Sequence, residues 1–260
     1  MVNASQGLVW SFVALALVLA SAFVAAVHRS ALGSAIALRH ARRHALIAAA
    51  ATVAWLALTF ALAAVGALSF SSRPPTMFFL VVAIIGLAFA IGLSPLGRQL
   101  AMGVPLAALV GIQGFRLPLE LMLHQSYVEG LMPVQMSFSG FNFDILTGLS
   151  AIVVALVLVR KPGSPVLVRI WNTAGVVLLI NILTIAILSA PTPFRTFHNE
   201  PANVWITQAP WVWLPSVYVL AAVLGHILVY RRVRADVAAG APDGTTDRRR
   251  VEPSRTTIRT

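Results

Sequence analysis

QGFRLPLELMLHQSY, residues 113 to 127, decides how many times this chain crosses a membrane. It is a polar run set among long apolar ones, and it carries Gln113, Arg116, Glu120, His124 and Tyr127. An ionised side chain at the centre of a bilayer costs about 2.5 to 3.5 kcal/mol even on lenient insertion scales, so such groups demand a compensating arrangement. At roughly 100° per residue the five side chains fall within a helical wedge of about 80°. Arg116 and Glu120 are four apart, as are Glu120 and His124, which lets each touch the next along one face. Pro118 lies between them; a proline inside a helix removes a hydrogen bond, kinks the helix, and here would free the Gly114 carbonyl.

Outward from this stretch the chain is apolar. Of 260 residues, 58% are hydrophobic and 10% charged, against roughly a quarter charged in soluble domains. Runs near the 20 residues needed to span a bilayer fall at 8 to 27, 46 to 70, 77 to 95, 100 to 127, 144 to 160, 166 to 189 and 210 to 230. Charge decides whether the fourth, polar-ended run crosses. If all seven cross, every Lys and Arg except Arg73, Arg116 and Arg195 lies on one side, as cytoplasmic loops require. If the fourth did not, the 160 to 169 loop and the basic tail would fall outside. The expected fold class is an all-α, polytopic transmembrane bundle of seven helices, N-terminus outside and C-terminus inside. Its parts are a short outer N-terminus at 1 to 7, a transmembrane domain at 8 to 230, and a basic, disordered cytoplasmic tail at 231 to 260. MVNASQG carries no positive charge ahead of the first apolar run, so that run reads as a retained helix rather than a cleaved signal.

Two segments on the outer side are long, 128 to 143 and 190 to 209, and rich in aromatics and prolines. That composition suits ordered loops. They bring Asp144, Arg195, His198 and Glu200 to the level of the fourth-segment stripe, together with Glu129, Gln135, Asn142, Thr192 and Asn203. Asn181 and Thr184 extend the wall. The expectation is an outward-facing polar pocket, floored by the stripe and lidded by the loops. Asp144 has a second reading as a helix N-cap opening DILTGL, and Arg116 with Glu120 one as a structural ion pair. A metal site is an open alternative, with Glu120, His124 and His198 as ligands. The sequence specifies no cofactor, and no H-E-x-x-H spacing supports the metal.

Several functions are excluded. The single lysine, Lys161, sits in a loop, so no retinal Schiff base forms in the seventh helix. No Walker A sequence is present, and Ser137 and Ser139 are not in a G-x-S-x-G elbow. Cysteine is absent, which removes disulfides and thiolate chemistry. The net charge of +11 comes from loop flanks without interleaved stacking aromatics, which indicates no nucleic acid partner. The partners expected are the lipid bilayer, anionic lipids at the basic tail, and another membrane protein.

QGFRLPLELMLHQSYVEGLMPVQMSFSGFNFDILTGLSA, with PTPFRTFHNEPAN further on, resembles an uncharacterised family of bacterial seven-helix inner-membrane proteins. The resemblance implies a multi-pass protein of the bacterial inner (plasma) membrane and supplies no activity. From the residues, the first expectation is binding or transport of a small polar or anionic ligand, or of protons. Arg116 would be the charge partner, with Glu120 and His124 as hydrogen-bonding or relay groups. The alternatives are a non-catalytic partner or assembly subunit of a membrane complex, and a metal-dependent or redox membrane enzyme.

Overall fold

The protein is described here by a computed structural model covering residues 4–32, 38–160 and 165–240. Among these residues the chain is helical, without strands. The helices are α1 (Gln6–Leu32), α2 (Leu38–Ala64), α3 (Thr76–Leu93), α4 (Pro95–Gly103), α5 (Leu106–Gly111), α6 (Arg116–Val128), α7 (Ile145–Arg160), α8 (Pro165–Ser189) and α9 (Leu220–Gly240). A 3₁₀ turn, Ile112–Phe115, joins α5 to α6, and a π turn, Leu214–Val219, leads into α9.

Six segments are long and apolar enough to cross a membrane: α1, α2, α3, Leu106–Val128, α8 and Leu214–Ala239. The seventh expected crossing, α7, is apolar but has 16 residues, a rise of about 24 Å against a hydrocarbon core of about 30 Å. The protein is therefore a multi-pass helical membrane protein with six clear spans and one short apolar helix. Its outside is apolar, with Leu17, Val53, Phe79, Val153 and Ile180 exposed, while Gln113, Arg116, Glu120, Asn172 and His226 are buried.

Local chemistry explains where the elements break. The fourth segment begins at Leu106, not at residue 100. Ser94 caps α4, accepting from Gly97 N at 3.1 Å, with Pro95 in the first turn, where a missing N–H costs little. Pro105 then precedes α5. Gly103 lies so close to α1 that a Cβ would sit 2.7 Å from Ser30 Cβ. At its other end the segment closes with a positive-φ glycine, Gly130 (φ +72°). Gly130 N donates to Tyr127 O and Leu131 N to Ser126 O, both at 2.9 Å, the paired bonds of a Schellman stop.

The expected boundary at 231 also moves. α9 continues to Gly240, because the first arginines after residue 230 hold structure instead of trailing. Arg231 donates to Ser94 O at 2.9 Å and to Gly92 O. Arg232 donates to Val104 O (3.1 Å) and pairs with Asp236 one turn on (3.0 Å). They satisfy carbonyls freed where α3 and α4 end, as basic side chains do at helix C-termini. The rest of the expected tail, 241 to 260, lies outside the described residues, as does Lys161.

α9 is the hub, packing against α3, α4, α5 and α8. α7 lies on α5 and α6, and α2 lies on α1. At the loop-rich end Phe12 of α1 meets the rings of Trp211 and Tyr218, each at 4.9 Å, and the Tyr218 hydroxyl donates to Phe12 O. α3 and α8 flank α9 but do not pack closely on each other, and that gap frames the site.

Candidate binding site

Gly148 makes the site possible. A Cβ there would sit 2.4 Å from Leu117 N, so only glycine lets α7 lie flush against the start of α6. Asp144 stands one turn earlier on the same face and thereby reaches Arg116. Arg116 Nη1 donates to Asp144 Oδ1 at 2.8 Å, with the arginine 1% exposed. The expected Arg116–Glu120 pairing is not the one formed. Glu120, also 1% exposed, accepts instead from Asn142 Nδ2 at 2.7 Å. That amide also donates to Met136 O (3.0 Å), while Asn142 Oδ1 accepts from Asp144 N (3.1 Å). The N-cap reading of Asp144 is half right: its carbonyl accepts from Thr147 N and Gly148 N, but its carboxylate serves Arg116.

The 3₁₀ turn changes what Pro118 does. By tightening the chain at Ile112–Phe115 it restarts the helix at Arg116, which places Pro118 in the first turn of α6, a tolerated position. The polar stripe then divides. Gln113 is fully buried and donates to Ala222 O at 3.2 Å, and a Cβ on Gly225 would collide with its amide nitrogen. His124 does not line the cavity described below; it lies 3.2 Å from Ser139 Oγ and stacks on Phe138 (4.4 Å between rings). Tyr127 is exposed.

The other expected partners stay in their own loop. Arg195 donates to Glu200 (2.8 Å), to Phe197 O (2.9 Å) and to Asn199 O (3.1 Å), while His198 and Glu200 are exposed. No hydrogen bond or ion pair among the described residues joins them to Glu120. Arg195 closes a short chain loop, and its hydrogen bond holds the Glu200 carboxyl below the usual range. The metal alternative loses its geometry for the same reason: among the described residues no three His, Asp or Glu side chains group as metal ligands. Asn181 ties α8 to the Phe141 carbonyl (2.8 Å) and, like Thr184, does not line the cavity below.

Beside Arg116 lies a cavity of about 250 Å³. Its polar end is formed by Arg116, Glu120 and Asp144, with Thr192 and Asn203 from the second long loop. Its walls are apolar: α3 contributes Phe78, Val81 and Ile84, α8 contributes Leu179, Leu183 and Ala186, and the π turn adds Pro215 and Tyr218. Arg116 Nε and Nη2 and Asn203 Oδ1, on two residues that line the cavity, are buried without a protein hydrogen-bond partner. Unpartnered buried polar atoms are rare and call for a specific explanation. The apolar walls and the π turn were not legible as site elements in the sequence. The one local signal is Pro215 in WVWLPSVY, since π turns arise where the regular hydrogen-bond ladder is interrupted.

Residues 73–234 match a family described as "Domain of unknown function (DUF8737)". The chain belongs to this family. The matched span begins just ahead of α3 and ends within α9, so it takes in Arg116, Glu120, Asn142, Asp144 and Asn203. No curated protein matches the chain, and no solved structure does.

Proposed function

We propose that this family member crosses the bacterial inner membrane seven times, N-terminus outside, and binds a small ligand through a polar group at Arg116, for recognition or transport. The observation that carries the reading is the pair of buried, unpartnered guanidinium nitrogens, Nε and Nη2, on an arginine that lines a cavity. A buried ion pair alone seldom stabilises a protein. Donors without a protein partner on a cavity-lining residue are what a ligand acceptor, with a small side-chain adjustment, would complete. Intramembrane ionisable groups mark sites by default. The basic residues past Arg232 suit contact with anionic lipid at the inner leaflet.

The test is purification in mild detergent from native membranes, with mass spectrometry of the small molecules that accompany the protein. A compound stoichiometric with the wild type and absent from Arg116→Met/Asp144→Leu supports the reading. Equal small-molecule content in both proteins counts against it. A second reading, docking to another membrane protein, is favoured by Phe194 and Phe141 at the loop-rich end, 68% and 54% exposed. Gentle purification that returns this chain alone argues against that reading.

A further inference from the structure

We infer that the ligand is an amphiphile with an uncharged, hydrogen-bonding head and a hydrocarbon body, and that it enters sideways from the lipid between α3 and α8. The inference rests on the proposed binding role of Arg116 and names the substrate class for that site.

Charge selects the head. Arg116 is already matched by Asp144 at 2.8 Å, and Glu120 adds a second carboxyl on the same cavity wall. One guanidinium facing two carboxyl groups gives no surplus positive charge to hold an anion. What the site offers is mixed: Nε and Nη2 as donors, Asn203 Oδ1 and the Glu120 carboxyl as acceptors. A hydroxyl or a primary amide accepts from the first set and donates to the second.

The walls select the body. Beyond the polar end the lining is Val81 and Ile84 from α3, Leu179 and Leu183 from α8, and Leu119 and Leu123 from α6. An apolar cavity of this kind stays dry and takes up apolar molecules, and about 250 Å³ far exceeds the roughly 30 Å³ of one liquid water. A small ion or sugar would leave these walls uncovered.

The route follows from the packing. α3 and α8 both rest on α9 but not closely on each other, and the cavity lining includes Phe78 and Ile187, 42% and 39% exposed on the lipid-facing side. On the loop side, Met136, Asn203 and Ile206 cover the polar end and are buried. The covered side faces the loops, and the open side faces lipid.

The experiment uses the full chain in phosphatidylcholine nanodiscs and a photoreactive diazirine analogue of 1-dodecanol. Competitors are unlabelled 1-dodecanol, dodecanoate and glycerol. The expected result is saturable labelling on α3 and α8 that 1-dodecanol abolishes. Dodecanoate should compete at least tenfold less well and glycerol not at all. Ala186→Phe, which narrows the cavity from α8 without touching the ion pair, should remove the labelling, and Glu120→Gln should weaken it several-fold. Stronger competition by dodecanoate than by the alcohol overturns the uncharged head. Labelling displaced by glycerol overturns the hydrocarbon body while leaving a polar-ligand site standing. Labelling that persists in Ala186→Phe overturns the cavity as its location. Absence of saturable labelling, with a co-purifying compound still lost in Arg116→Met/Asp144→Leu, rejects the amphiphile and keeps the site; absence of both rejects both.

Discussion

Asp144 is the residue whose loss the bundle should tolerate least. Asp144→Asn removes the carboxylate hydrogen-bonded to the buried Arg116 guanidinium and leaves only Glu120, already held by Asn142, nearby; breaking a buried pair in this way costs about 3 to 5 kcal/mol. The expected readout is a sharp fall in the unfolding temperature and in monodisperse yield. Arg116→Met/Asp144→Leu removes both charges and should recover most of that loss, since apolar replacements of buried pairs are often neutral or better. If the single and double variants were equally unstable, the pair would not be the source of the effect. Glu129 makes a different prediction, at the end of α6 and outside the span. Partial burial pushes its carboxyl up, but hydrogen bonds from the Ser5 hydroxyl (2.6 Å), Gln125 and Ser5 N (2.8 Å) outweigh this and hold it below the usual range. A depressed pKa means the anchoring is fully present above the ordinary carboxylate value and is lost as pH falls through the lowered one. Hydrogen exchange in the first turn of α1, corrected for intrinsic rates, should therefore rise below about pH 4 and stay flat from pH 5 to 8. Glu129→Gln should raise it from pH 5 to 8 and leave it unchanged once the wild-type carboxylate is protonated.

At the scale of elements, the long apolar helices were readable because length and apolarity define them, while the short α4 and the 3₁₀ and π turns were not. Those two turns depend on neighbours. Trp55 of α2 donates to Ser216 O across the bundle at 2.8 Å, and Trp213 donates to Leu56 O at 3.3 Å, so α2 supports the irregular backbone of the π turn. Trp55→Phe removes the donor but keeps the ring, depriving the Ser216 carbonyl of this bond. The expected loss is about 1 kcal/mol, seen as a lower thermal midpoint. Gly148→Ala tests the contact between α6 and α7. Its Cβ meets backbone, which cannot swing aside, so the helices must separate at a cost of about 1 to 3 kcal/mol. Ligand retention at Arg116 should fall with it. The same substitution at Gly86, where a Cβ meets nothing within 4 Å, should be silent in both assays.

At the scale of the whole molecule, the proposed orientation is directly testable, because the chain has no cysteine of its own. Ser139→Cys at the loop-rich end and Ala238→Cys near the end of α9 both place a thiol at an exposed position. In intact cells a membrane-impermeant maleimide should label the first and reach the second only after lysis, as the distribution of arginines requires. The reverse pattern would invert the topology and place the covered, loop-rich side of the site in the cytoplasm.

The sequence by itself determined the solvent and the scaffold. Apolar runs of spanning length, with basic residues gathered on alternate connections, leave a helical bundle in lipid as the physical outcome, because a bilayer admits no unsatisfied backbone. It also marked Gln113, Arg116 and Glu120, since buried polar groups are costly in lipid and stand out against it. Only the tertiary structure decided their partners. Helical spacing brings Arg116 and Glu120 near each other, but Asp144 and Asn142 win the hydrogen bonds because Gly148 allows α7 to approach within backbone contact. Spacing along one helix cannot reveal a partner from another, and the apolar walls of the cavity are ordinary membrane residues until α3, α8 and the π turn close around them.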